Sequence, residues 1–283
     1  MIRVGFLYSR IRVEEKLLLE ELEKHSNVEV VPINDGDNFF DISNKPFDVD
    51  VVLERSVSYS RGLYASRIFE AHNVSVVDKS MVAERCGDKY TTSQILTIND
   101  IPTPRVLIAF DEESALKAVE EMGYPCVLKP VVGSWGRLLA RVDNREMAHA
   151  IIEHKSSLGV NHQIFYIQEY INKPGRDIRA FVIGDECICA IYRSSENWIT
   201  NTARGGVATN CPVTPEIADL CQRAAQAVGT GLLALDLFET QDGGYTINEI
   251  NHTMEFRNSI ATTGVNIPAR MIDYVLEQAG ERI

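Results

Sequence analysis

The chain has 283 residues, 45% hydrophobic and 24% charged, with a formal net charge of −12. That length can bury a sizeable core in two or three compact units, and the composition is ordinary for a soluble globular protein. The acid excess argues against a nucleic-acid partner, which needs clustered Lys and Arg, and there is no apolar run of about 18 residues to span a membrane.

The opening segment alternates strand and helix patterns. Met1–Arg10 has no apolar stretch of signal-peptide length and reads as a strand at Ile2–Tyr8. A helix comes next over Val13–His25, with Val13, Leu17, Leu18 and Leu22 on one side. Then come a strand at Asp50–Glu54, a helix over Leu63–His72 and a strand at Val74–Val77. This predicts parallel strands joined by helices, an α/β unit over residues 1–89. Pro102, Pro104 and Pro125 break the middle of the chain into short elements. Asp111–Met122 predicts a helix stopped by Gly123, and Cys126–Lys129 and Arg137–Val142 predict strands around a Gly133–Gly136 loop. Asp143 and Glu146 predict a capping box for a helix to Ser157, and Phe165–Ile171 a further strand. These elements make a central unit, residues 90–173. In the remainder, 174–283, one hairpin turns at Gly184-Asp185 between Ile178–Ile183 and Cys187–Arg193. A second joins Leu232–Glu239 to Tyr245–Ile250 around Asp242-Gly243-Gly244. Thr214-Pro215 opens a helix that Gly229 ends, and a last helix covers Ile267–Gln278. Six cysteines, at 86, 126, 187, 189, 211 and 221, form no CxxC pair and read as reduced thiols of a cytoplasmic protein.

Carboxylates stand out in the last unit. Asp236 interrupts an apolar strand, and Glu249 and Asn251 end the next. Residues two apart share a strand face, so Glu249 and Asn251 project together and Asp236 can sit opposite them. Three oxygen donors from two strands suit magnesium; the plain alternative is a half-buried polar face, although such acids are costly to bury without a partner. Lys129 ends a strand just before Gly133-Ser134-Trp135-Gly136-Arg137. A lysine beside exposed backbone N–H groups suits phosphate, and an ordinary turn fits the same residues; the spacing is neither that of a P-loop nor of a Rossmann fingerprint. Lys89, in Cys-Gly-Asp-Lys, is a further cation. The run Gln168-Glu169-Tyr170-Ile171, leading to Gly175-Arg176-Asp177-Ile178-Arg179, can form an apolar slot with a carboxylate for a ribose, or an ordinary sheet edge. Arg193, the run Asn201-Thr202-Ala203-Arg204-Gly205-Gly206 and Glu255-Phe256-Arg257-Asn258-Ser259 come after strands, where binding groups collect. Arginine there suits carboxylate or phosphate.

In this order the motifs resemble the ATP-grasp superfamily and, more narrowly, the RimK-like ligases of the LysX and ArgX type. The similarity is densest in Cys86–Lys89, Leu128–Leu139, Tyr166–Arg179, Tyr192–Gly206 and Asn248–Gly264. The resemblance implies an α/β (α+β lobes) ATP-grasp fold of three lobes, with ATP between the central and C-terminal ones. It implies that Lys89, Lys129, Gly133, Ser134, Trp135, Gly136 and Arg137 contact phosphates, and that Asn201 reaches them. Gln168, Glu169, Tyr170, Ile171, Arg176, Asp177 and Arg179 would frame the nucleotide, and Asp236, Glu249 and Asn251 would hold Mg2+. Arg193, Thr202, Ala203, Glu255, Phe256, Arg257, Asn258 and Ser259 would line an amino-acid site, with Arg193 and Lys129 in catalytic roles. The implied reaction joins the C-terminal glutamate of a small acidic carrier protein, LysW, to the α-amino group of glutamate or 2-aminoadipate through an acyl phosphate. It would serve arginine or lysine biosynthesis in the cytoplasm, in a homo-oligomer (dimer or tetramer). The two amino acids differ by one methylene, worth about 1–3 kcal/mol in a pocket, and Asn258 resembles the glutamate-type enzymes. The rivals are a RimK-type ligase adding glutamate to another protein or peptide, and a nucleotide-binding regulator without turnover. An acidic enzyme with an acidic carrier needs local positive charge, for which Arg55, Arg61, Arg67, Arg193, Arg204 and Arg257 are candidates.

Overall fold

A computed structural model describes residues 1–133, 137–200 and 206–280. The chain opens with a parallel sheet of order β2-β1-β3-β4, built from β1 (Ile2–Tyr8), β2 (Val28–Asn34), β3 (Val51–Arg55) and β4 (Ser75–Val77). Helices α1 (Val13–Leu22) and α2 (Tyr59–Ala71) supply the crossovers. With both faces covered, β3 is buried along its whole length, as a parallel strand should be. The sequence pattern misses β2 because Glu29 and Pro32 interrupt its apolar run. Proline is tolerated there because β2 is the edge strand.

Helices α3 (Ser80–Gly87) and α4 (Lys89–Ile98) then meet at Asp88, whose carboxylate accepts from Thr91 N at 2.9 Å and caps α4. At the junction only glycine fits position 87, since a Cβ would lie 2.0 Å from the Tyr59 ring. The middle sheet is antiparallel, order β5-β8-β6-β7, with β5 (Val106–Ala109), β6 (Cys126–Lys129), β7 (Ala140–Val142) and β8 (Phe165–Glu169). On it lie α5 (Glu112–Met122) and α6 (Arg145–Ser156), which bury Ala115, Val119, Ala148 and Ile152 against Leu128, Phe165 and Ile167. Asn144, not Asp143, caps α6, its side chain accepting from Met147 N at 2.9 Å. Strand β7 also starts later than expected, at Ala140.

The last sheet is antiparallel with order β11-β10-β9-β12-β13. Its strands are β9 (Arg176–Gly184), β10 (Glu186–Ser194), β11 (Val207–Cys211), β12 (Gly231–Glu239) and β13 (Tyr245–Asn251). One face packs on α7 (Pro215–Val228) through Ile178, Ala180, Val182, Leu233, Leu235 and Leu237. The opposite face divides along its length. Its far half, with Phe181, Ile183, Leu232 and Ala234, packs into a core shared with the first sheet and α9 (Ile267–Gly280). Full burial of a side chain the size of Leu, Ile or Phe stabilises by about 1.5–3 kcal/mol. The near half of that face is polar. It carries Asp177, Arg179 and Asp236, and α8 (Arg257–Thr263) comes after β13 beside it. Among the described residues no helix is long and apolar enough to cross a membrane.

Candidate functional site

Strand register sets up a row of charge across the polar half-face. Arg193 on β10 stands opposite Asp177 on β9, Arg179 on β9 opposite Asp236 on β12, and Asp236 opposite Glu249 on β13. Each arginine is bidentate. Arg193 donates through Nε and Nη2 to Asp177 at 2.6 and 2.8 Å, and Arg179 to Asp236 at 2.8 and 2.9 Å. Arg193 Nη2 also lies 3.0 Å from Asp236, while its Nη1 is buried without a partner among the described residues. Burial alone would raise the Asp236 pKa, but Arg179 and Arg193 more than reverse this and hold it at about 2. Burial likewise opposes the charge on Arg193, and Asp236 and Asp177 outweigh it, raising its pKa.

On one side of this row, between the middle and last sheets, lies a cleft. Val127, Leu139, Ile171 and Phe238 give it apolar walls, and Tyr170 and Trp198 contribute rings at a centroid separation of 6.4 Å. Besides Arg193 its cations are lysines, and Glu169, Asp177, Asp236 and Glu249 line it too. Lys129 Nζ donates to Asn248 Oδ1 at 2.8 Å. Lys173 Nζ donates to Thr200 Oγ1 at 2.8 Å and lies 4.6 Å from the Phe238 ring centroid. Burial, with help from neighbouring Lys89 and Lys173 and against Glu249, lowers the Lys129 pKa to about 8. Lys89 stands at the rim of the adjoining cavity, donating to Gly133 O at 2.7 Å, with Glu249 Oε2 at 3.9 Å. Gln168 is buried in the cleft wall, and its Nε2 has no partner among the described residues.

Asn248 reaches the cleft because β13 is irregular. Ile247 pairs with Leu237 and Glu249 with Asp236, so Asn248 is surplus in the ladder. A bulge of this kind re-aims side chains, and the consecutive residues Asn248 and Glu249 both line the cleft. Strict alternation could not have found Asn248. It does place Glu249 and Asn251 together, and both line the adjoining cavity between β13 and the first sheet.

On the other side of the charge row is a cavity of about 210 Å³ lined by Arg10, Arg12, Arg179, Arg193 and Arg257, with Glu14, Glu255, Ile191, Asn258 and Ser259. Arg10 and Arg12, from the loop after β1, carry no motif that marks them in the sequence. Several expected site residues lie elsewhere. Arg176 is paired with Glu239 at 2.7 Å and stacked 3.9 Å from the Tyr192 ring, away from all these cavities. Phe256 is fully buried in the shared core and lines none of them. Arg179 adjoins the arginine cavity rather than the lysine cleft, and Arg137 lines none of the cavities. Ser134, Trp135, Gly136, Asn201, Thr202, Ala203 and Arg204 fall outside the described residues. Of the arginines suggested for docking a carrier, Arg55 and Arg193 are buried and unsuited to it. Arg61, Arg67 and Arg257 keep exposed side chains.

Comparison with known proteins supplies the family. Residues 86–275 match the RimK-like ATP-grasp domain, and residues 4–85 the LysX preATP-grasp domain. The chain belongs to the RimK-like ATP-grasp family. Like the family, it is an ATP-dependent carboxylate–amine ligase, and the reading as a regulator without turnover is set aside. It is 38% identical over 277 residues to the alpha-aminoadipate–LysW ligase LysX of Saccharolobus solfataricus, covering 95% of this chain and 98% of the relative. It is 34% identical over 278 residues to the glutamate–LysW ligase ArgX of Sulfurisphaera tokodaii, covering 97% and 98%. The crystal structure of a RimK domain ATP-grasp protein from Sphaerobacter thermophilus superposes with a TM-score of 0.83 at 26% identity, covering 97% of this chain and 99% of that one. The three sheets are thus those of an ATP-grasp ligase.

Proposed function

We propose that this RimK-like ligase joins the γ-carboxyl of the C-terminal glutamate of a LysW-type carrier to the α-amino group of glutamate or 2-aminoadipate, at the expense of ATP, in the cytoplasm. The observation that carries the reading is the pairing of two unlike cavities across one row of charge. A dicarboxylic amino acid suits five converging arginines, one with a vacant buried donor. A nucleotide suits the lysine cleft, with Gln168 Nε2 available to a base and Lys129 to its phosphates. The relatives named for both amino acids support the substrate class.

Asp236, Glu249 and Asn251 suit Mg2+, because two carboxylates directly opposed across a ladder and one side-chain amide form a hard oxygen set. Bound there, Mg2+ would neutralise phosphate charge next to the carrier carboxylate. Lys129 and Lys89 would share that work on the phosphates. Arg179 and Arg193, already fixed by Asp236 and Asp177, would orient the amino acid without reorganising during reaction. The carrier carboxylate takes the γ-phosphoryl group as ADP leaves, and the amine then attacks the acyl carbon as phosphate leaves. The test is ADP release by the purified protein with ATP, Mg2+ and a carrier ending in glutamate. Sustained release over many turnovers is expected only when carrier and one of the two amino acids are both present. Release independent of the carrier would overturn the reading.

A further inference from the structure

The segment 254–259, whose Glu255, Arg257, Asn258 and Ser259 line the arginine cavity, is tied to the first sheet through one carboxylate. Glu15, in the first turn of α1, is fully buried. Its Oε2 accepts from Arg12 N at 3.0 Å and Arg12 Nε at 2.8 Å. Its Oε1 accepts from Arg12 Nη2 at 2.9 Å and Arg55 Nε at 3.1 Å. Each guanidinium then reaches across to the last sheet's outgoing loop. Arg12 Nη1 donates to Glu255 Oε1 at 3.1 Å, and Arg55 Nη1 to the Met254 carbonyl at 3.2 Å. Glu14 adds a looser contact, 3.8 Å from Arg257 Nε. One buried acid therefore holds two arginines, and these hold two consecutive residues between the carboxylate end of β13 and the start of α8.

Such a network is a weak source of net stability, because desolvating four charged groups offsets most of their attraction. What it fixes is geometry. Arg12 also lines the arginine cavity, so the same contact that anchors the rim sets one cavity wall. We propose that Glu15 is a positioning residue for the amino-acid cavity, holding the 254–259 rim and Arg12 in register with Asp236 and Glu249. The proposal rests on the reading of that cavity as the amino-acid site.

The test uses the full chain with Glu15→Gln and Glu15→Asp, measuring hydrogen exchange over 252–259 and the KM values for ATP and the amino acid separately. Glu15→Gln is expected to speed exchange in that segment and to raise the amino-acid KM by about 10- to 100-fold, the scale of a 1 Å misplacement, with ATP KM nearly unchanged. Glu15→Asp keeps the charge with shorter reach and should recover part of the loss. If Glu15→Gln fails to fold, Arg12→Lys carries the same test, since it keeps charge and loses the fork between Glu15 and Glu255. Unchanged exchange over 252–259, or equal rises in both KM values, would overturn the proposal. A parent enzyme that uses neither amino acid would instead remove the functional reading, and exchange over 252–259 would then decide the clamp by itself.

Discussion

The lysine cleft and the arginine cavity flank the same row of charge, and both present cations to a ligand, but they are prepared differently. In the arginine cavity Arg179 and Arg193 are locked bidentately to Asp236 and Asp177 before any ligand arrives. In the cleft, Lys129 has an amide oxygen as its hydrogen-bond acceptor, and its pKa is lowered to about 8 by burial and by like-charged neighbours. Arginine stays charged in any surroundings and holds a planar geometry, whereas lysine responds to its surroundings. One side is built for orientation, the other for charge that the incoming ligand completes.

Removing the boundary carboxylates should break this arrangement most severely. Glu249→Gln is expected to lower kcat on the order of 1000-fold. Glu249 is partly exposed, with Lys89 at 3.9 Å, so its thermal unfolding should barely move. Asp236→Asn should lose turnover too, and in addition leave Arg179 without its buried carboxylate partner, while Arg193 keeps Asp177. That costs about 3–5 kcal/mol, or a fall in Tm on the order of 10 °C. Equal Tm values for the two variants would show that Asp236 does not anchor the arginines.

A smaller effect probes the arginine cavity's shape at constant charge. Asn258, exposed at its rim, is expected to limit side-chain length, so Asn258→Gly should shift the ratio of kcat/KM toward 2-aminoadipate by about 10-fold. An unchanged ratio in an active variant would move selectivity to another wall.

The gentlest test titrates the cleft. Phosphate should raise the Lys129 pKa above its starting value of about 8, so the complex binds a proton more than the free protein once pH exceeds that value. ATP affinity should then fall with rising pH, approaching about tenfold per unit, when measured by calorimetry from about pH 7 to about pH 9.5. Lys129→Arg should flatten the slope. A parent affinity constant over that range would mean that Lys129 carries no phosphate charge.

Much of this organisation is legible in the sequence, where local patterns decide. The apposition of Asp236 and Glu249 comes from two apolar strands around a glycine turn, and the register has that pairing. Partners set by distant register are not legible. Arg176 reads as a ligand-binding arginine, yet Glu239, 63 residues away, accepts from its Nε and Nη2. Arg55 reads as exposed and is buried between Glu15 and Met254. Phe256 sits within a polar run and nevertheless fills the shared core, because alternation tells which face a residue takes and not what covers that face.

The bulge at Asn248 has a consequence for how such a site can be assembled. Ile247 and Glu249 pair with the adjacent residues Leu237 and Asp236, so the ladder on either side is in step whether or not residue 248 is present. The partner of Lys129 is therefore a supernumerary position: the bulge adds a side chain to the cleft while the pairing on either side keeps its register.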